Sequence, residues 1–292
     1  MISYAITVLG IIGATLIPAY IALYVVRYLL PVHTRYIAAA GVGLTFWYFF
    51  DTMNDATSLD VNQALYPFSL FGGPTHFAVI FAFIAGIVTL AILDHLAVSS
   101  PDVTPSSKAL FLIPVAVAAV MGIHSLGEGW NFGSAAASVP AQGVSSFCSP
   151  ALLGSPIARP FCDLANAFGG LNTLISYPLH KFLEASIIGA VYTCSIARNK
   201  TAFRAAWHLP ALGLLFGLTS VIGSALGYYF ILDTTYFYAF GVTAALYAVL
   251  RLVESVSSRS RIWNGAPAYL GTKVFLAMTI GFFLLYAAAL LH

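Results

Sequence analysis

The chain has 292 residues, of which 60% are hydrophobic and 8% charged, with a formal net charge of +2 and a mean hydropathy of +0.90. A soluble domain carries about 25% charged residues, so this composition excludes one and places most apolar side chains against a lipid bilayer. No nucleic-acid partner is expected.

Long apolar stretches lie at 2–30, 36–53, 75–97, 108–137, 171–196, 205–232, 234–256 and 270–291, most of them near the ~20 residues that a bilayer requires. An all-α membrane protein with eight transmembrane helices is therefore expected, as one transporter-sized domain over 1–292. The first stretch is too long for a signal-peptide core and has no basic segment ahead of it, so it is expected to be a retained span. Acidic and polar residues follow the second span, with Asp51, Asn54, Asp55 and Asp60, a cluster able to concentrate cations at an entrance. His76 at the start of the third span is a further entrance candidate, and Asp94 and His95 at its end are exit candidates. Each of these has an ordinary interfacial reading beside the functional one.

Pro114 in the fourth span and Pro178 in the fifth each free a carbonyl one turn earlier, which a membrane helix tolerates where neighbours or water satisfy it. Between these spans runs the one sizeable loop, about 138–170, which holds Cys148 and Cys162. Lys and Arg concentrate in cytoplasmic loops. Arg27, Arg35, Lys108, Arg198, Lys200, Arg204, Arg251, Arg259, Arg261 and Lys273 all fall on one side, against Arg159 on the other. Both termini and the 138–170 loop are thus expected outside, with the plasma membrane as the expected location. Disulfides persist there, and Cys148 is expected to pair with Cys162. Cys194 is expected to be an inert buried thiol, and His33, His208 and His292 to be solvated near span ends.

Only three glutamates occur in the chain, and two of them, Glu128 and Glu184, lie mid-span with a histidine four residues earlier, His124 and His180. Residues four apart share a helix face, so each span presents an imidazole and a carboxylate together. Ionisable groups at mid-membrane are costly and serve ion paths, proton relays or partner charges. Two imidazoles with two carboxylates suit zinc, iron(II) or manganese. The plainer alternative is a pair of buried Glu–His contacts that hold helices together. Trp130, two residues past Glu128, either walls a metal path or fills the core.

The run His124-Ser125-Leu126-Gly127-Glu128-Gly129, followed by Gly133, resembles the fourth-span signature of the ZIP (Zrt/Irt-like) divalent metal transporters. His180-Lys181-Phe182-Leu183-Glu184-Ala185, followed by Gly189, is similar to that family's fifth-span signature. Tyr238 to Ala248, with Glu254 beyond, is a weaker echo of its seventh span. The resemblance implies a ZIP-like bundle with helices 4 and 5 central and an inverted repeat of helices 1–3 and 6–8. It assigns His124, Glu128, His180 and Glu184 to a midplane metal site, with Ser125 as an extra ligand. The cargo it implies is a divalent cation, zinc first and iron or manganese next, carried as substrate. Lys181 stands where some relatives place a carboxylate for a second metal, and is expected either to block that second site or to lean away toward another partner. The long 138–170 loop is expected to gate access or to dock a second copy or another membrane subunit.

Two other functions fit part of the pattern. A zinc hydrolase within the membrane would keep three protein ligands and one open position, whereas four ligands from two helices argue for transport and against an enzyme. A non-transporting subunit that keeps the fold is the other alternative, and the long outer loop is its main support.

Overall fold

A computed structural model describes residues 4–63, 74–98, 107–138, 154–156, 158–168, 170–196, 207–230, 232, 234–258 and 272–290. Every regular element among the described residues is a helix: α1 (Tyr4–Ile11), a π turn (Ile12–Leu16), α2 (Ile17–Gln63), α3 (Pro74–Val98), α4 (Ser107–Ser138), α5 (Arg159–Ala167), α6 (Leu171–Ile196), α7 (His208–Gly227), α8 (Thr235–Ser258) and α9 (Thr272–Leu290). Among the described residues, four stretches are long and apolar enough to cross a membrane, Tyr4–Tyr28, Phe111–Ser138, His208–Gly227 and Tyr236–Val253. Ile80–Ile92 and Thr272–Ala288 are shorter apolar helices. The chain is thus an all-helical integral membrane protein in its described residues.

The sequence predicts separate spans at 2–30 and 36–53, whereas helical turns run without a break from Ile17 to Gln63. The packing nevertheless requires this stretch to fold back. A Cβ on Gly189 would lie 3.1 Å from the Val26 Cβ, and one on Gly41 would lie 2.9 Å from the Ala190 Cβ. Residues as far apart as Val26 and Gly41 would be separated by about 22 Å along a straight helix, yet both touch adjacent positions of α6. At the other ends, a Cβ on Gly10 would run into Leu164, just ahead of α6, and Asp51 reaches His180 near its start. The chain therefore passes along α6 once in each direction, and helical hydrogen bonding continues through the corner.

From Leu183 to Thr193 every residue of α6 is buried, and a helix buried all round lies inside its bundle. α4 is buried on most faces, with Val117, Ala118 and Met121 fully covered. Pro114 and Pro178 both sit within unbroken helices.

Small residues bring α4 and α7 into backbone contact. A Cβ on Gly129 would stand 2.0 Å from the Ser220 carbonyl oxygen, and one on Gly133 would stand 2.2 Å from that of Ser224. Reciprocally, Gly223 and Gly227 lie against the Leu126 and Trp130 carbonyls. In lipid, where apolar burial gives little drive between helices, such close approach supplies the packing. The Ser134 hydroxyl donates to the Gly227 carbonyl at 3.0 Å and the Trp130 indole to that of Phe230 at 2.8 Å, which closes the seam at one end. Trp130 therefore serves this seam.

His208 is buried rather than solvated. Its ring stacks on Phe111 at 3.9 Å, and its Nδ1 lies 3.2 Å from the Tyr192 hydroxyl. Aromatic neighbours on α4 and α6 at the start of α7 cover it, a tertiary contact that its place near a span end did not reveal. His33, whose side chain is not described, and His292 lie outside this comparison. Cys194 is half-buried near the end of α6. Cys162 is buried on α5, while its expected partner Cys148 lies outside the described residues.

Candidate metal centre

α4 and α6 face each other through the two His-x-x-x-Glu pairs, and four atoms converge. His124 Nε2 is 3.5 Å from Glu128 Oε1 and 3.6 Å from Glu184 Oε1. His180 Nε2 is 3.2 Å from Glu184 Oε1 and 4.0 Å from Glu128 Oε1. A tetrahedral zinc site with ligands at about 2.0–2.2 Å has ligand-to-ligand edges of about 3.3–3.6 Å. The four His–Glu separations, 3.2–4.0 Å, bracket those edges. His124, Glu128 and Glu184 also bring ligand atoms within 4.8 Å of one another as a set. His124, His180 and Glu184 are buried, and Glu128 is 15% exposed.

The second oxygen of each carboxylate points elsewhere. Glu128 Oε2 and Glu184 Oε2 both accept from the Lys181 ammonium, which also donates to Ser125 Oγ at 3.1 Å. Lys181 is fully buried, 5.5 Å from the centre of the Tyr177 ring and 5.4 Å from that of Phe216. Each glutamate therefore offers Oε1 to the histidine side and Oε2 to the lysine. Lys181 thus sets its ammonium between Glu128 and Glu184, beside Ser125. Ser125, expected as an extra ligand, is instead turned to Lys181.

Asp51 is the residue of the predicted entrance cluster that reaches the centre, with Oδ2 3.8 Å from His180 Nε2 and 30% of its side chain exposed. Asn54 and Asp55 follow it on α2, and His76 and Asp94 lie on α3, but the side chains of all four lie outside the described residues. His95 is exposed on α3. α3 packs chiefly on α8 and α4.

Several contributors carried no signal that motif spacing exposes. Tyr48 and Tyr238 set their rings edge-on to His124, at 5.2 and 5.1 Å. Asn131 donates to the Tyr238 hydroxyl at 2.8 Å and accepts from Thr234 at 3.1 Å, which fixes that ring. Gly241 makes room for the imidazole, since a Cβ there would lie 2.8 Å from His124 Nδ1. Its place in the seventh-span echo was the available signal, and Tyr48 lies one helical turn before Asp51.

No family model matches the chain, and neither a curated protein nor a solved structure does.

Proposed function

We propose that this chain is a ZIP-like transporter that carries one divalent transition-metal ion at a time across the membrane, through His124, Glu128, His180 and Glu184. The observation that carries the reading is the set His124, Glu128 and Glu184, whose ligand atoms lie within 4.8 Å of one another, with His180 Nε2 beside it, 3.2 Å from Glu184 Oε1 and 4.0 Å from Glu128 Oε1. A simple structural contact between helices has no need of that doubled geometry. Zinc suits an N2O2 set best, with iron(II) and manganese next.

The path supports the same reading. On the Asp51 side the centre is reached through Asp51 and Glu128, which are 30% and 15% exposed. On the other side Val117, Met121, Ile187, Ile188 and Val191 are fully buried, an apolar seal that must part for release. Eight spans, with the first two formed by the folded-back stretch through α2, put both termini and the Asp51 side outside the plasma membrane by the distribution of Lys and Arg. Movement then follows from rocking of helix groups about the midplane site, with the cation entering toward the cytoplasm. The ligands bind metal only when deprotonated.

Uptake of radioactive zinc, iron(II) and manganese into proteoliposomes tests the reading. Saturable entry of at least one ion, lost in His124→Ala and Glu184→Ala, is expected. Equal entry in parent and variants would refute the central site.

A further inference from the structure

Lys181 changes the charge that this centre presents. Among the described residues, Lys181 and Glu184 are the formally charged side chains that are fully buried, and Lys181 binds the outer oxygens of both Glu184 and Glu128. The two glutamates and the lysine together carry one negative charge. A divalent cation bound by neutral histidines would then leave one positive charge uncancelled at mid-membrane, where a net charge is costly.

Asp51 stands where that deficit can be made good, 3.8 Å from a ligand nitrogen of His180. Among the described side chains, the neighbouring helices offer no substitute. α7, packed along α4, contains no Asp, Glu, Lys or Arg. α8 carries Arg251 and Glu254, which lie about 15 Å or more along the helix beyond Gly241, the position against His124. Among the described residues, three carboxylates and one ammonium thus give the protein side of the centre two net negative charges, which one divalent ion cancels.

We propose that Asp51 sets the charge of the cargo: its carboxylate replaces the negative charge that Lys181 withdraws from the two glutamates, so that the centre is neutral with one divalent ion. Asp51 and Lys181 form a compensating pair that acts through the bound ion. The inference rests on the transport reading and specifies the charge class of its substrate.

The test is a charge series measured twice, as zinc affinity by calorimetry on the full-length protein in detergent and as zinc uptake in proteoliposomes. Asp51→Asn is expected to weaken zinc binding about tenfold, the effect of roughly 1.4 kcal/mol. Lys181→Gln keeps a hydrogen-bond donor beside the glutamates while removing the charge, and is expected to tighten binding and slow uptake about tenfold through slow release. The double variant should return both quantities to within about threefold of the parent, a recovery that loss of a ligand oxygen at Asp51 does not produce. A double variant no better than its worse parent variant, or Asp51→Asn within about twofold of the parent, would overturn the proposal.

Should Lys181→Gln fail to fold, Asp51→Glu decides. Keeping the charge, it should bind zinc more tightly than Asp51→Asn, and equal losses in the two would overturn the idea. A parent protein that binds no zinc would instead defeat the transport reading itself, and this inference with it.

Discussion

The two faces of α4 are built by opposite means. Toward α7 it presents Gly122, Gly129 and Gly133, and the helices meet backbone to backbone, with no room for a methyl group. Toward α6 it presents His124, Ser125 and Glu128, and the helices meet through charges and hydrogen bonds around Lys181. The first face has one arrangement, because close packing is not continuously deformable. The second is a set of polar partners that an incoming cation can rearrange. A single helix thereby couples a fixed seam to an adjustable centre, the combination that the proposed carrier, moving about a midplane site, requires.

Substitutions that strike one face and spare the other break or sharpen this contrast. The largest stability loss is expected from Lys181→Ala, which leaves Glu128 and Glu184 as adjacent buried carboxylates without their cation. Removing one partner of a buried pair costs about 3–5 kcal/mol. Saturating zinc should recover part of that loss relative to the parent, since the two uncompensated carboxylates bind the cation more tightly and a tighter ligand stabilises the folded state more. Unfolding in detergent with and without zinc reads both effects, and a loss that zinc leaves unchanged would separate Lys181 from the metal centre.

Gly129→Leu should cost about 3 kcal/mol by overpacking against the Ser220 carbonyl, and here saturating zinc should stabilise variant and parent equally and leave their difference unchanged. His124→Ala should reverse the pattern, with folded yield retained and zinc affinity lowered about 100-fold or more, beyond the loss usual for a residue that only orients a ligand. Calorimetry checks the affinity and size-exclusion chromatography the fold. The smallest effect is expected from Tyr192→Phe. It removes the hydroxyl beside His208 and should cost about 1 kcal/mol without changing zinc affinity.

The sequence made part of this organisation legible. Apolar runs gave the helical class, and the spacing of His124 to Glu128 and His180 to Glu184 gave the polar pairs, because helix periodicity alone puts those residues on one face. Contacts between helices were not readable in the same way. Nothing local to Ser125 tells whether its hydroxyl meets a metal or the lysine 56 positions later. Nor does anything local to His208 announce its stacking on Phe111. The corner within Ile17–Gln63 shows the converse: helical hydrogen bonding runs without a break through a stretch that hydropathy divides and that its contacts with α6 fold back.

The most direct test of the central claim is the number and position of ions bound to the purified protein, from anomalous scattering at the zinc edge combined with elemental analysis. One zinc per chain among His124, Glu128, His180 and Glu184 is expected, with a second ion appearing beside Ser125 in Lys181→Asp. An ion bound elsewhere with this centre empty, or two zinc ions at this centre in the unmodified protein, would contradict the account.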